Sequence, residues 1–139
     1  MWSKSYSKKF SGLNVKQVWS VWINVNEWHL WQPSIECSQM EGDFKVGNGF
    51  LLKPKKGPKV NIELIQIEAF KSFTDLTRFP GAKMYGLHEL IEHENELEIK
   101  TTMSIGGPLS FLWRMLVAEG VASGMPAQTE SLVNKVRRM

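Results

Sequence analysis

The sequence predicts an α+β fold in which a curved antiparallel sheet of about six or seven strands wraps one long C-terminal helix. Three observations carry this. The last third of the chain, from Leu109 to Arg138, reads as a single helix. Between Ser34 and Ile105 the apolar residues alternate with period two in runs separated by turn residues. Two short capped helices stand between a first strand and those runs.

The long helix begins after Gly106-Gly107-Pro108, where the glycine pair ends a strand and Pro108 suits a first helical turn. Leu109, Leu112, Trp113, Leu116, Gly120, Gln128, Leu132 and Val136 fall on three-four spacing and mark one stripe. At 1.5 Å per residue it is about 45 Å long. A compact chain of this length has a radius of gyration of about 14 Å. Such a helix crosses the whole molecule, so the sheet must wrap it. The bulky first half (Phe111, Leu112, Trp113, Met115, Leu116) is expected to fill the grip. Gly120, Ala122, Gly124 and Ala127 are expected to leave space, or else to permit close backbone packing, and Pro126 either kinks the helix or divides it in two.

From the start of the chain, residues 2–10 alternate loosely as a first strand, ended by Gly12. Asn14 then stands as an N-cap with Gln17 three residues on, and Val15, Val18, Trp19 and Trp22 form an apolar stripe. Asn24 and Glu27 repeat the same grammar for a second short helix that Pro33 ends. Strands follow at Ile35–Met40, Phe50–Lys53, Val60 to about Phe70, Phe73–Phe79, Met84–Ile91 and Leu97–Ile105. A meander of this kind curls as it twists and presents one apolar concave face to the helix.

At 139 residues, residues 1–139 are read as one domain. The single cysteine, Cys37, excludes an internal disulfide and any cysteine-based metal site, and reads as a half-buried strand thiol. No apolar run is long enough to span a membrane, and the N-terminus lacks the apolar core of a signal peptide, so a cytoplasmic setting is expected. The basic residues gather at Lys53-Pro54-Lys55-Lys56-Gly57-Pro58-Lys59, with no aromatic residue among them to stack a base. They read as a solubilising hairpin tip, and no nucleic acid partner is expected.

The element order and five local signatures resemble a known family. These are Val18-Trp19-Ser20-Val21-Trp22, Trp28-His29-Leu30-Trp31-Gln32-Pro33, the run Gly42-Asp43-Phe44-Lys45-Val46-Gly47-Asn48-Gly49, Gly106-Gly107-Pro108-Leu109 and Gly124-Met125-Pro126-Ala127. Together they are similar to the START-like, Bet v 1-like (SRPBCC) superfamily and its polyketide cyclase/dehydrase and lipid-transport branch. The resemblance implies a helix-grip fold. It also implies a small hydrophobic molecule, such as a lipid, polyketide or quinone, in a cavity between the curved sheet and the C-terminal helix. The alternative it implies is a cyclase or dehydratase.

Within that cavity His88 is the candidate general base, because Met84, Gly86, His88 and Leu90 share the concave side if Lys83 and Glu89 face water. Its candidate partners are Asp75, Arg78 and Tyr85. Asp75 and Arg78 lie on opposite faces of one strand and cannot both point inward without a bulge, and Tyr85 is out of phase with His88. A complete acid–base set is therefore not assembled. The residues expected to contact ligand are Trp28, Trp31, Phe50, Phe73, Met84, His88, Met103, Met115, Gly120 and Gly124, with Trp28 and Trp31 read either as core or as the cavity mouth. His29 and His93 read as surface residues. No histidine–carboxylate spacing fits a metal, no glycine-rich loop fits a phosphate, and no cofactor is called for. The oligomeric state is expected to be monomer or dimer. A protein partner is a third reading, against which stands the absence of a long exposed apolar stretch.

Overall fold

The computed structural model describes residues 2–139. Seven antiparallel strands run β1 (Trp2–Ser11), β2 (Ile35–Met40), β3 (Gly49–Pro54), β4 (Val60–Glu68), β5 (Ser72–Phe79), β6 (Ala82–Glu92) and β7 (Glu96–Gly106). Their order in the sheet is β1-β7-β6-β5-β4-β3-β2. Strands β2 to β7 form a plain meander, and β1 closes onto the far side of β7. Between β1 and β2 lie helix α1 (Val15–Ile23), a 3₁₀ turn (Val25–Glu27) and helix α2 (Trp28–Trp31).

One row of paired residues crosses the whole inner face: Met40, Phe50, Ile62, Thr77, Met84, Ile105 and Trp2. Six of the seven are apolar, which is why this face turns inward. Strand β7 shows the same logic along its length. Leu97, Ile99, Thr101, Met103 and Ile105 are all buried and every residue between them is not.

Helix α1 starts where expected. The Asn14 side chain accepts from the backbone N–H groups of Lys16 at 2.8 Å and Gln17 at 3.3 Å. Asn24 behaves differently from its predicted capping role. Its Nδ2 donates to the Glu27 carboxylate, and it makes no side-chain cap. The 3₁₀ turn that follows closes with backbone bonds instead.

The C-terminal helix begins close to the predicted point but is not uniform. It runs as α3 (Ser110–Trp113), a π-helical stretch Arg114–Ala118, α4 (Glu119–Ser123) and α5 (Met125–Arg137). The interruption between α4 and α5 falls on Gly124, whose backbone stays in the right-handed helical region at φ −86° and ψ −6°. Pro126 sits at the start of α5, where its missing N–H is tolerated.

The π-helical stretch changes which side faces the sheet. A π turn inserts one residue into the helical count, so the stripe shifts by about 100° around the axis. Trp113 faces inward before it, Val117 and Ala118 within it, and Ala122, Met125, Thr129, Leu132, Val133 and Val136 after it. The expectation that the bulky first half fills the grip is overturned. Phe111, Leu112, Met115 and Leu116 face solvent, and small alanines take the inner side. The helix also lays an apolar face open between Leu109 and Val121, which corrects the expectation that no such stretch is exposed.

The core has two parts. One joins Phe73, Leu90, Leu97 and Ile99 to the tryptophans of α1 and α2 and to Leu132, Val133 and Val136 of α5. The other joins Ala82, Met84, Met103 and Ile105 to Ala118, Ala122 and Met125. An ion pair between Lys8 of β1 and Glu130 of α5, at 2.8 Å, ties the helix to the sheet edge. That hydrogen bond holds the Lys8 ammonium above its ordinary pKa. Among the described residues no helix is long and apolar enough to cross a membrane. Cys37, expected to be half-buried, is exposed on the edge strand β2.

Candidate functional site

The inner face turns polar where the two halves of the core meet. Asp75 pairs across the sheet with Gly86, and Phe73 with His88. These are adjacent rows on the concave side, so Asp75 and His88 are diagonal neighbours. The Asp75 Oδ2 lies 3.1 Å from His88 Nε2, and the two side chains are 15% and 13% exposed. Gly86 makes this possible. A Cβ at that position would stand 2.8 Å from Asp75 Oδ1, so the carboxylate lies in space that any other residue would fill.

The His88 ring is fixed on its other sides by aromatics. It stacks on Phe73 with centroids 4.4 Å apart and planes 15° from parallel, and meets the Trp22 ring edge-on at 5.9 Å. A carboxylate that accepts from Nε2–H leaves Nδ1 as the free lone pair of a neutral imidazole. The ring is thus held in one orientation by a carboxylate and two aromatic neighbours.

Behind the histidine, the space between sheet and helix is nearly full. A cavity of about 20 Å³ remains, walled by Trp22, Trp31, Phe73, His88, Thr101 and Thr129 among others. That volume holds roughly one water-sized group. Trp28 and Trp31 are both buried here, on the core side of the two readings open for them. The Trp28 Nε1–H donates to the Val21 and Trp22 carbonyls at 3.3 and 3.1 Å, which locks the ring as packing. Gln32, beside the same cavity, donates from Nε2 to Ser34 Oγ at 3.0 Å, while its buried Oε1 has no partner among the described residues.

The larger space lies outside, at the mouth of the grip. An open groove of about 940 Å³ runs along the ends of β3, β4 and β5 and reaches Trp113. Phe50, Ile62, Thr77 and Phe79 supply concave-face residues to it, and Lys59, Glu63 and Arg78 polar ones. Trp113 is held over its end. The ring stacks on Phe79 at 4.5 Å and its Nε1–H donates to the Pro80 carbonyl at 2.8 Å.

The residues expected around a ligand are therefore dispersed. Phe50 lines the groove, and Trp28, Trp31, Phe73 and His88 surround the small cavity. Met84 and Met103 are buried in the second half of the core, against Ala118 and Ala122. Met115, Gly120 and Gly124 face outward, because the π-helical stretch turns them away from the sheet. They line neither space. His29 and His93 are exposed, as expected. His93 donates to Glu98 at 2.8 Å and thereby draws the Glu98 carboxyl below its ordinary pKa. Arg78 points away from Asp75 and pairs with Glu63 at 3.5 Å. Among the described residues no group of three or more metal-ligating side chains comes together.

The sequence reading missed two things: Trp113 as the end of the groove, and the placement of Asp75, one of its three candidate partners, beside His88. A hairpin count would have found the second. Taking Pro80-Gly81 as the turn pairs Arg78 with Lys83, which puts Asp75 opposite Gly86 and next to His88.

No family model matches the sequence, and no curated protein matches it either. Solved structures do. Ara h 8.0201 superposes with a TM-score of 0.75 at 11% identity, covering 99% of this chain and 100% of its own. A norcoclaurine synthase point mutant from Thalictrum flavum, in complex with a transition-state analogue, gives 0.72 at 12% identity, covering 99% and 96%. A START superfamily protein from Mycobacterium smegmatis gives 0.71 at 9% identity, covering 98% and 97%. The chain has the helix-grip fold of Bet v 1-like and START-like proteins. Identities this low speak to the fold alone.

Proposed function

We propose that the protein binds a small molecule with a predominantly apolar body, taken up in the groove at the mouth of the grip. The carrying observation is that groove of about 940 Å³, whose wall is about half apolar, from residues such as Phe50, Ile62, Phe79 and Trp113, and half polar. Ligand pockets commonly span about 300–1,000 Å³ and combine an apolar wall with a few polar groups. Lys59, Glu63 and Arg78 at the rim give a polar end of the ligand somewhere to sit. The similarity to folds that hold small molecules, one of them solved with a transition-state analogue, supports the same reading. A lipid, quinone or polyketide fits this description, carried in a cytoplasmic setting by the chain as one unit.

The test is binding of a panel of fatty acids, sterols, quinones and flavonoids, followed by native mass spectrometry and tryptophan fluorescence. At least one class is expected to bind saturably, and Trp113→Ala to weaken it by about tenfold or more, since a large aromatic contact is worth over 1 kcal/mol. A groove that rejects the whole panel overturns the proposal.

One observation favours a second reading, an enzyme of the cyclase or dehydratase kind. It is the 3.1 Å contact of Asp75 with His88, part-buried on the sheet that lines the grip. His88 lines the cavity of about 20 Å³ and not the groove, so this reading requires α1, α2 and α5 to draw apart and admit substrate. His88 Nδ1 would then remove a proton next to its carbonyl, with Asp75 orienting the ring and stabilising the imidazolium that forms. On an identified substrate, His88→Ala should lower kcat by about 100-fold or more, and Asp75→Asn by a smaller factor with a shifted pH profile. Full activity in His88→Ala removes this reading and leaves the first intact.

A further inference from the structure

The outward side of the C-terminal helix is built in two contrasting halves. In the first, Phe111, Met115 and Leu116 are 65%, 68% and 64% exposed, with Leu109 and Leu112 exposed beside them. Together with Val121 they present on the order of 600 Å² of apolar side chain, the upper end of the largest patch on an ordinary monomer. The second half continues the same outward side with Gly120, Ser123, Gly124 and Ala127, all exposed and all small.

Gly120 is unexplained by the single chain. It lies within α4, and a Cβ there would meet nothing within 4 Å. Glycine inside a helix weakens it relative to alanine. The chain thus keeps a helix-weakening residue at a position where its own packing would accept any small side chain. Close approach of another backbone is what such a glycine permits.

We propose that this face is the interface of a homodimer. Two copies pack their C-terminal helices antiparallel across a two-fold axis near Ala118, with the bulky half of each seated on the small half of the other. An isologous contact needs one patch to complement itself, and a bulky segment followed by a small one does so only when antiparallel. Charge agrees. Arg114 and Glu119 flank the centre, bonded to each other at 2.9 Å and each nearly half-exposed. Both charges are answered within each copy, Arg114 also lying 5.4 Å over the Trp2 ring, so closing the face leaves neither unpaired. The apolar side chains of two copies alone cover about 1,200 Å², the lower edge of a standard interface. A lipid surface fits less well, because Arg114 is the one basic residue between Leu109 and Ala127 and is already paired. The proposal does not rest on the ligand reading, and its test leaves the groove untouched.

Sedimentation velocity over a concentration series reads it directly, with flotation on anionic and neutral phospholipid vesicles as the second arm. A reversible dimer is expected, with a dissociation constant on the order of micromolar. Met115→Lys removes a knob and Gly120→Leu fills the hole. Both positions are exposed, so the monomer should fold with unchanged circular dichroism. Each change should weaken association by about tenfold or more. A monomer at every concentration, a dimer indifferent to both variants, or a monomer that floats with vesicles through these residues overturns the proposal.

Discussion

Phe73→Ala is expected to cost about 3–5 kcal/mol, the range for removing a buried aromatic ring. Phe73 is 1% exposed and is the hub of the aromatic core. Trp22 and Phe44 meet its ring edge-on at 5.1 and 5.3 Å, Trp19 does so at 6.4 Å, and His88 stacks on its face at 4.4 Å. These partners come from α1, the loop after β2 and strand β6, so no single rearrangement closes the hole. Domains of this size have about 5–15 kcal/mol of stability in all. The variant should lose between about a fifth of it and all of it, read as a urea midpoint about 2 M lower. A loss below about 1 kcal/mol would show that the aromatic cluster collapses around the gap, contrary to the rigid packing described.

Gly107→Ala should destabilise by about 2–4 kcal/mol, for a different reason. Gly107 has φ +115°, a conformation that side-chain-bearing residues rarely adopt. An added Cβ would stand 2.6 Å from the Gly81 carbonyl oxygen and 3.0 Å from Ala82 Cα. Both are backbone atoms, so neither can rotate away. The same Gly81 oxygen accepts from Leu109 N–H at 2.9 Å, the bond that docks the helix start on the β5–β6 turn. Forcing this corner apart therefore also loosens the entry to the C-terminal helix and the seat of Trp113. A fall in Tm of about 8–15 °C is the expected reading, and a fall under 3 °C would mean the corner relaxes at little cost.

The architecture was legible because its signals are local. The Pro80-Gly81 turn, the alternation from Leu97 to Ile105 and the Asn14 cap each need only neighbouring residues to be read. The faces of the strands were legible too, and His88 does lie on the concave side beside Phe73. What local pattern cannot supply is a change of helical period. Leu109, Leu112 and Leu116 fit a regular stripe, but five residues in π geometry move the inward side to Ala118 and Ala122. Met115, Leu116, Gly120 and Gly124, all expected inward, turn outward with it, while Ala122, Leu132 and Val136 keep the inner side. The filling of the cavity was hidden for a related reason. Whether Trp22, Trp28 and Trp31 line a space or occupy it depends on how near α1, α2 and α5 approach one another, a tertiary distance with no spacing rule in the chain.

The sheet order carries a consequence in time. Strand β1 is the first to be made, yet its neighbour is β7, and Ser5 meets Thr102 across 97 positions of chain. Ribosomes add about 5–20 residues per second, so β1 spends roughly 5–20 s as an unpaired edge before its partner exists. Its exposed residues are Ser3, Lys4, Ser5, Ser7, Lys8, Lys9 and Ser11. Lysines and serines are what keep a waiting strand from pairing with the wrong neighbour. The composition of β1 thus serves the nascent chain as much as the finished fold.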